Sequence, residues 1–204
     1  MFYFFPIDFV YSQKVNNHQQ VKSKILNEII LRENTEEKCW PLAKLTSSYS
    51  NTKEHNSFLC NDEIANDVVW NPLDNMFKEI KDKFNFSWTT PKSSIIHNCW
   101  YNIYNKGDYQ EIHEHVSFCD NDGYIPSFSM IYILDNDGQK NTTVFRKKFP
   151  LTAIPPSEDV TYNTANCEDI GEGTVLIFPY HLEHYVLPET GKKITCSYNV
   201  RTLF

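Results

Sequence analysis

The chain has no surplus of basic residues: 19 Lys and Arg stand against 26 Asp and Glu in 204 residues, a formal net charge of −7. Gripping a phosphate backbone takes clustered Lys and Arg, so stable nucleic-acid binding is not expected. No apolar run approaches the ~18–20 residues of a spanning helix, and no membrane partner is expected. The apolar opening, residues 1–10, carries Pro6 and Asp8 and lacks both a basic stretch and a small-residue cleavage site, so it does not read as a secretory signal. There is no C-x-x-C pair. Cys39, Cys60, Cys99, Cys119, Cys167 and Cys196 are scattered, and a chain of this length folds without staples, so reduced thiols and a cytoplasmic setting are expected. Internal repeats and low-complexity tracts are missing too.

What is present is aromatic. Fourteen Phe, twelve Tyr and four Trp supply large apolar surfaces for a core, and the length suits one domain spanning 1–204. Residues 1–92 read as an N-terminal strand and supporting helices: a strand over 1–11, then an amphipathic helix over 18–32 from Val21, Ile25, Leu26, Ile29 and Ile30. The polar stretches 33–38 and 46–56 read as loop. Asn61 or Asp62 caps a short helix that stops before Pro72, and Leu73, Met76, Phe77, Ile80 and Phe84 mark a further helix to about residue 86. From 93 to 204 the pattern is β: short runs at 95–104, 112–118, 128–134, 142–145, 174–178 and 194–200, separated by Gly, Pro, Asn and Asp. Many short strands without intervening helices point to a sandwich or barrel. The fold class is mainly β with flanking helices.

Seven histidines remain to be explained, and four of them lie in two tight pairs. His113 and His115, at i and i+2 on the predicted strand, project from one face. Same-face neighbours on a strand lie roughly 6.5–7 Å apart at Cα, close enough for two imidazoles to converge on one ion. The second pair, His181 and His184, lies in a turn that follows the apolar strand ending at Pro179. A third neutral nitrogen from this distant segment would complete a metal site with open positions, which suits catalysis better than structure. His181, beside Tyr180 in a turn, reads as a surface residue, and His18, His55 and His97 have no partner at ligand spacing.

The ordered set Tyr104-x-x-Gly107, five residues, His113-x-His115, then Leu134, Gly138, Phe145, Gly171-x-Gly173, Phe178-Pro179, His184, Pro188 and Gly191-x-Lys193 resembles the 2-oxoglutarate and Fe(II)-dependent oxygenases. It is most similar to a phage-type branch related to the prolyl 4-hydroxylases. The resemblance spans most of the chain and implies a double-stranded β-helix, a cupin-like jelly roll of two sheets. It implies Fe(II) on His113, His115 and His184, 2-oxoglutarate as co-substrate, and O2 as oxidant. The reaction implied is hydroxylation of an unactivated C–H with release of succinate and CO2; a phage-encoded chain would work in the host-cell cytoplasm. His115 stands where most of the family has a carboxylate, and Glu114 points to the opposite face of a regular strand.

For the keto acid's remote carboxylate the resemblance implies Lys193, with Thr195 two residues on and Ser197 next along the same face; Arg201 is the fallback cation. Lysine supplies a point charge without the fork of arginine. Tyr104 is the implied second donor to the keto acid. Three neutral ligands leave the metal charge intact, so the site is expected to be electropositive around Lys193. The partner implied is a small-molecule or peptidyl substrate, and the apolar N-terminus is where a homodimer would form.

The same residues allow other readings. A cupin-type three-histidine dioxygenase would need no keto acid, although the Glu expected a few residues after the second histidine is missing and Asp120 is nearest. A zinc hydrolase fits the ligands but shows no obvious general base. A non-catalytic jelly-roll binding module would leave the histidines as polar groups in a groove.

Overall fold

The computed structural model describes residues 8–32, 42–51, 53–84, 91–115, 124–137, 140–147 and 160–203. The expected strand over 1–11 falls largely outside them; the first strand described is β1 (Tyr11–Lys14). Helix α1 (His18–Leu31) buries Val21, Ile25 and Ile29 of the predicted stripe, while Ile30 faces solvent. The segment expected to be loop holds a two-residue strand, β2 (Thr46–Ser47), and one turn of helix, α2 (Lys53–Asn56).

Asn61 caps α3 (Asp62–Ala65), its side chain accepting the Glu63 N–H at 3.0 Å. The expected stop before Pro72 does not occur. A π-helical turn, Asn66–Trp70, leads directly into α4 (Asn71–Phe84). A proline removes one donor and crowds the preceding turn, and the wider π turn just before it accommodates both effects.

Eight further strands follow: β3 (Ser93–Tyr104), β4 (Gln110–His113), β5 (Ile125–Asp135), β6 (Thr143–Lys147), β7 (Val160–Asn163), β8 (Thr174–Pro179), β9 (Glu183–Val186) and β10 (Lys193–Leu203). They form two antiparallel sheets, one ordered β1-β8-β5-β10-β3-β2 and the other β4-β9-β6-β7. Sequence reading located β3, β5, β6, β8 and β10 and missed β7 and β9, each four residues long.

The six-stranded sheet has a different task on each face, set by the two-residue period of a strand. Met130, Tyr132 and Leu134 of β5, Val175 and Ile177 of β8, and Cys196 and Tyr198 of β10 pack with Ile25, Val68 and Met76 of the helical layer. The alternate residues Ile131, Ile133, Leu176 and Phe178 turn to the four-stranded sheet and meet Phe145 and Leu182. Each fully buried side chain of this size stabilises the fold by about 1.5–3 kcal/mol. Among the described residues no helix is long and apolar enough to cross a membrane.

Candidate metal centre

Strand pairing brings the two histidine segments together. β4 pairs antiparallel with β9, with His113 opposite His184 and Gln110 opposite Val186. Three steps along β4 match two along β9, so β4 carries a bulge. The strand expected over 112–118 ends at His113, and residues 116–120 lie outside the described set. His115 sits just past the strand, its backbone N–H donating to Tyr180 O at 3.0 Å. Bulge and turn together keep both histidines facing inward, while Glu114 between them is exposed. His184 was read as part of a turn. It lies on β9, and residues 180–182 carry the chain from the large sheet to the small one.

The ring centroids of His113, His115 and His184 are 4.2, 4.9 and 5.3 Å apart, and their candidate ligand atoms lie within 4.8 Å of one another. Two cis ligands on one ion stand about 3 Å apart given metal–nitrogen bonds of ~2.1 Å, a spacing that ring rotation reaches. Each Nδ1 is tethered to an oxygen: His113 to Glu111 O at 2.8 Å, His184 to Leu182 O at 3.2 Å, and His115 to Asn199 Oδ1 at 2.7 Å. A carbonyl oxygen only accepts, so the proton sits on Nδ1 and Nε2 keeps its lone pair.

Burial, the largest influence, lowers all three imidazole pKa values, and the neighbouring histidines lower those of His115 and His184 further; His115 falls to about 4 and His184 well below its ordinary value. The triad is therefore neutral near pH 7. His115 Nε2 is buried with no hydrogen-bond partner, a costly arrangement for a lone pair unless something binds it. Three neutral, tethered imidazoles converging on an unsatisfied nitrogen fit a divalent metal. The wall behind them is aromatic: Phe178 lies 4.9 Å from His184, Phe145 5.9 Å from it, and Trp100 5.4 Å from His115.

The inward rows of β3 and β10 complete the pocket. Trp100, Asn102 and Tyr104 line it from β3, and Lys193, Thr195 and Ser197 from β10. Register explains the match, since Tyr104 pairs with Lys193, Asn102 with Thr195 and Trp100 with Ser197. The residues predicted as metal ligands and as keto-acid contacts thus border one cavity. Its free volume is about 10 Å³, enough for about one water. Arg201, the fallback cation, is buried but does not line this cavity.

Two expectations change here. The Tyr104 hydroxyl donates to Gln110 Oε1 at 2.8 Å, and its ring lies beneath the Lys193 ammonium, 4.9 Å from Nζ to centroid. The expected electropositive patch is also absent, because Lys193 is paired with the buried Glu189 carboxylate. Thr142 joins both: its hydroxyl donates to Glu189 and accepts from Lys193 Nζ at 2.9 Å. Burial pulls the Lys193 pKa down while Glu189 opposes it.

Sequence reasoning missed Asn199, Gln110 and Glu189. Asn199 Oδ1 holds His115 and also accepts from Ser129 Oγ at 2.9 Å, while the Gln110 amide nitrogen stands 3.5 Å from His113 Nε2. Three of the remaining histidines have structural surroundings. His18 bonds Tyr132 and Glu172, His181 bonds Asp8, and His55 stacks on Tyr101. Cys60, Cys99, Cys167 and Cys196 are free thiols, and Cys119 lies outside the described residues.

No family model matches the chain, and no curated sequence matches it. Solved structures do. The prolyl-4-hydroxylase of Pseudomonas putida superposes with a TM-score of 0.51 at 12% identity, over 94% of this chain and 91% of that one. The viral collagen prolyl hydroxylase of Paramecium bursaria Chlorella virus-1, in complex with 2-oxoglutarate, gives 0.52 at 14% identity, covering 96% and 97%. HygX from Streptomyces hygroscopicus, with nickel, 2-oxoglutarate and hygromycin B bound, gives 0.56 at 12% identity, covering 95% and 83%. Across nearly its whole length the chain has the double-stranded β-helix fold of these oxygenases.

Proposed function

We propose that the protein is an Fe(II)- and 2-oxoglutarate-dependent oxygenase that hydroxylates an unactivated C–H. The observation that carries the reading is the meeting, in one buried cavity, of three neutral Nε2 lone pairs with the Lys193–Thr195 row of β10. His113, His115 and His184 hold the metal. Lys193 and Thr195 receive the remote carboxylate of the keto acid, and Tyr104 fixes the floor under Lys193. Bound iron, keto acid and O2 supply the oxidising chemistry, with succinate and CO2 as by-products. The protein fixes ligand tautomers through Glu111 O, Leu182 O and Asn199, and it excludes water with Trp100, Phe145 and Phe178. Two of the solved neighbours are prolyl hydroxylases, which supports a peptidyl or free amino acid as substrate.

Anaerobic addition of Fe(II) and 2-oxoglutarate should produce a weak visible charge-transfer band that His184→Ala abolishes, and aerobic incubation should release succinate. The neutralisation of Lys193 by Glu189 favours one competing reading, a three-histidine dioxygenase that uses no keto acid. Iron binding without any spectral response to 2-oxoglutarate would favour that alternative and refute ours.

A further inference from the structure

Glu189 is the only buried residue in the exposed run Leu187, Pro188, Glu189 and Thr190. Its backbone is pinned on both sides, the N–H donating to Asp108 O at 2.9 Å and the carbonyl accepting from Gly107 N at 2.7 Å. Its side chain turns inward to Lys193 and Thr142, where both carboxylate and ammonium are almost wholly withdrawn from water. A carboxylate on a buried lysine and a neighbouring threonine hydroxyl is the arrangement that the remote end of a dicarboxylic keto acid needs. Here the protein supplies that carboxylate itself.

On the oxygenase reading, we infer that Glu189 is a specificity-determining residue that competes with the co-substrate's remote carboxylate for Lys193. A second carboxylate brought to this ammonium meets like charge in a region where water screens little. The diacid therefore binds only as the Glu189 side chain withdraws, and its exposed neighbours leave a short path to solvent. The pinned backbone confines that movement to the side chain. Breaking one buried pair to make another nets little, so the chain gains far less from a remote carboxylate than a free lysine would give. A keto acid with an apolar tail does not meet this competition.

The test compares 2-oxoglutarate with 2-oxobutyrate, a keto acid of one carboxylate, by anaerobic charge-transfer titration of the Fe(II)-loaded protein. In the wild type the two dissociation constants should lie within about tenfold. Glu189→Gln should tighten 2-oxoglutarate by about tenfold or more and leave 2-oxobutyrate within about twofold. Glu189→Asp, which keeps the charge but retracts it by one methylene, should fall between. A wild-type preference for the diacid above about a hundredfold would overturn the inference without any variant. Equal tightening of both acids, or weaker 2-oxoglutarate binding in Glu189→Gln, would also overturn it while leaving the oxygenase reading intact. Fe(II) binding with no spectral response to either acid in any variant would remove the oxygenase reading and the inference with it.

Discussion

Removing the Asn199 side chain tests whether the triad is a tethered metal site. Asn199 Oδ1 accepts the His115 Nδ1–H at 2.7 Å and the Ser129 hydroxyl at 2.9 Å. In Asn199→Ala a buried imidazole N–H loses this acceptor, at a cost of about 1–3 kcal/mol to the metal-free fold. The ring is then free to turn or to change tautomer, and either change takes the Nε2 lone pair away from its partners on His113 and His184. Loss of such an orienting hydrogen bond typically weakens metal binding by about 10–100-fold, which corresponds to about 1.4–2.7 kcal/mol. Asn199→Asp restores the acceptor and adds a negative charge behind a ligand set that has none, so its affinity should equal or exceed that of the wild type. Competition with a coloured chelator under anaerobic Fe(II), or with Co(II) in air, reads the dissociation constants. Thermal melts of the metal-free proteins separate the stability cost. A metal affinity for Asn199→Ala within twofold of wild type, alongside the lowered melting temperature, would show that His115 is not held as a ligand by this contact.

Phe178 is fully buried and touches both Phe145 and His184; Phe178→Ala should cost about 3–5 kcal/mol in denaturant unfolding, and a cost under about 1 kcal/mol would place it outside the packed core. Gly173 sits at φ +80°, where an added Cβ would stand 3.0 Å from the His18 ring; Gly173→Ala should lose about 1–2 kcal/mol from backbone strain alone, with a further penalty for displacing His18, and an unchanged melting temperature would contradict this. Glu172 bonds His18 and Lys22, which outweigh its burial and hold its carboxyl down to about 2, below the ordinary 4.5. A depressed carboxyl pKa stabilises the fold above the unfolded-state value and loses that contribution as pH falls through the folded one. Glu172→Gln should therefore cost about 1–2 kcal/mol at neutral pH, allowing for its partial exposure, and almost nothing near pH 2; a penalty that does not shrink between those limits would sink the ion-pair account.

The sequence disclosed the parts of the site that depend on local period. Lys193, Thr195 and Ser197 share a face because strands alternate, and β10 is long enough for that period to be read. His113 and His115 were legible as a pair, although the reason they converge is a bulge and a turn rather than a straight strand. β9 was not legible: four residues entered through a change of sheet carry no pattern of their own, so His184 looked like part of a turn. Asn199, Gln110 and Glu189 were beyond local reading for a different reason. Asn199 acts on a partner 84 positions away, whereas Gln110 and Glu189 act on residues three to six positions off through turns that carry no regular period. A polar side chain announces that it will seek a partner, but the identity of the partner is a property of the assembled sheets.

The alternation of β10 makes its length as consequential as its composition. Lys193, Thr195 and Ser197 face the cavity, while Ile194, Cys196 and Tyr198 support the helices. Substituting an inward residue edits the chemistry and leaves the helical foundation in place. Deleting one residue between 194 and 198 would invert the facing of whichever half of the strand shifts register, sending either Tyr198 toward the metal ligands or Lys193 into hydrocarbon. Along this strand, diversification by replacement and diversification by insertion or deletion have opposite prospects: the first gives access to new specificities, and the second removes the site and its support in one event.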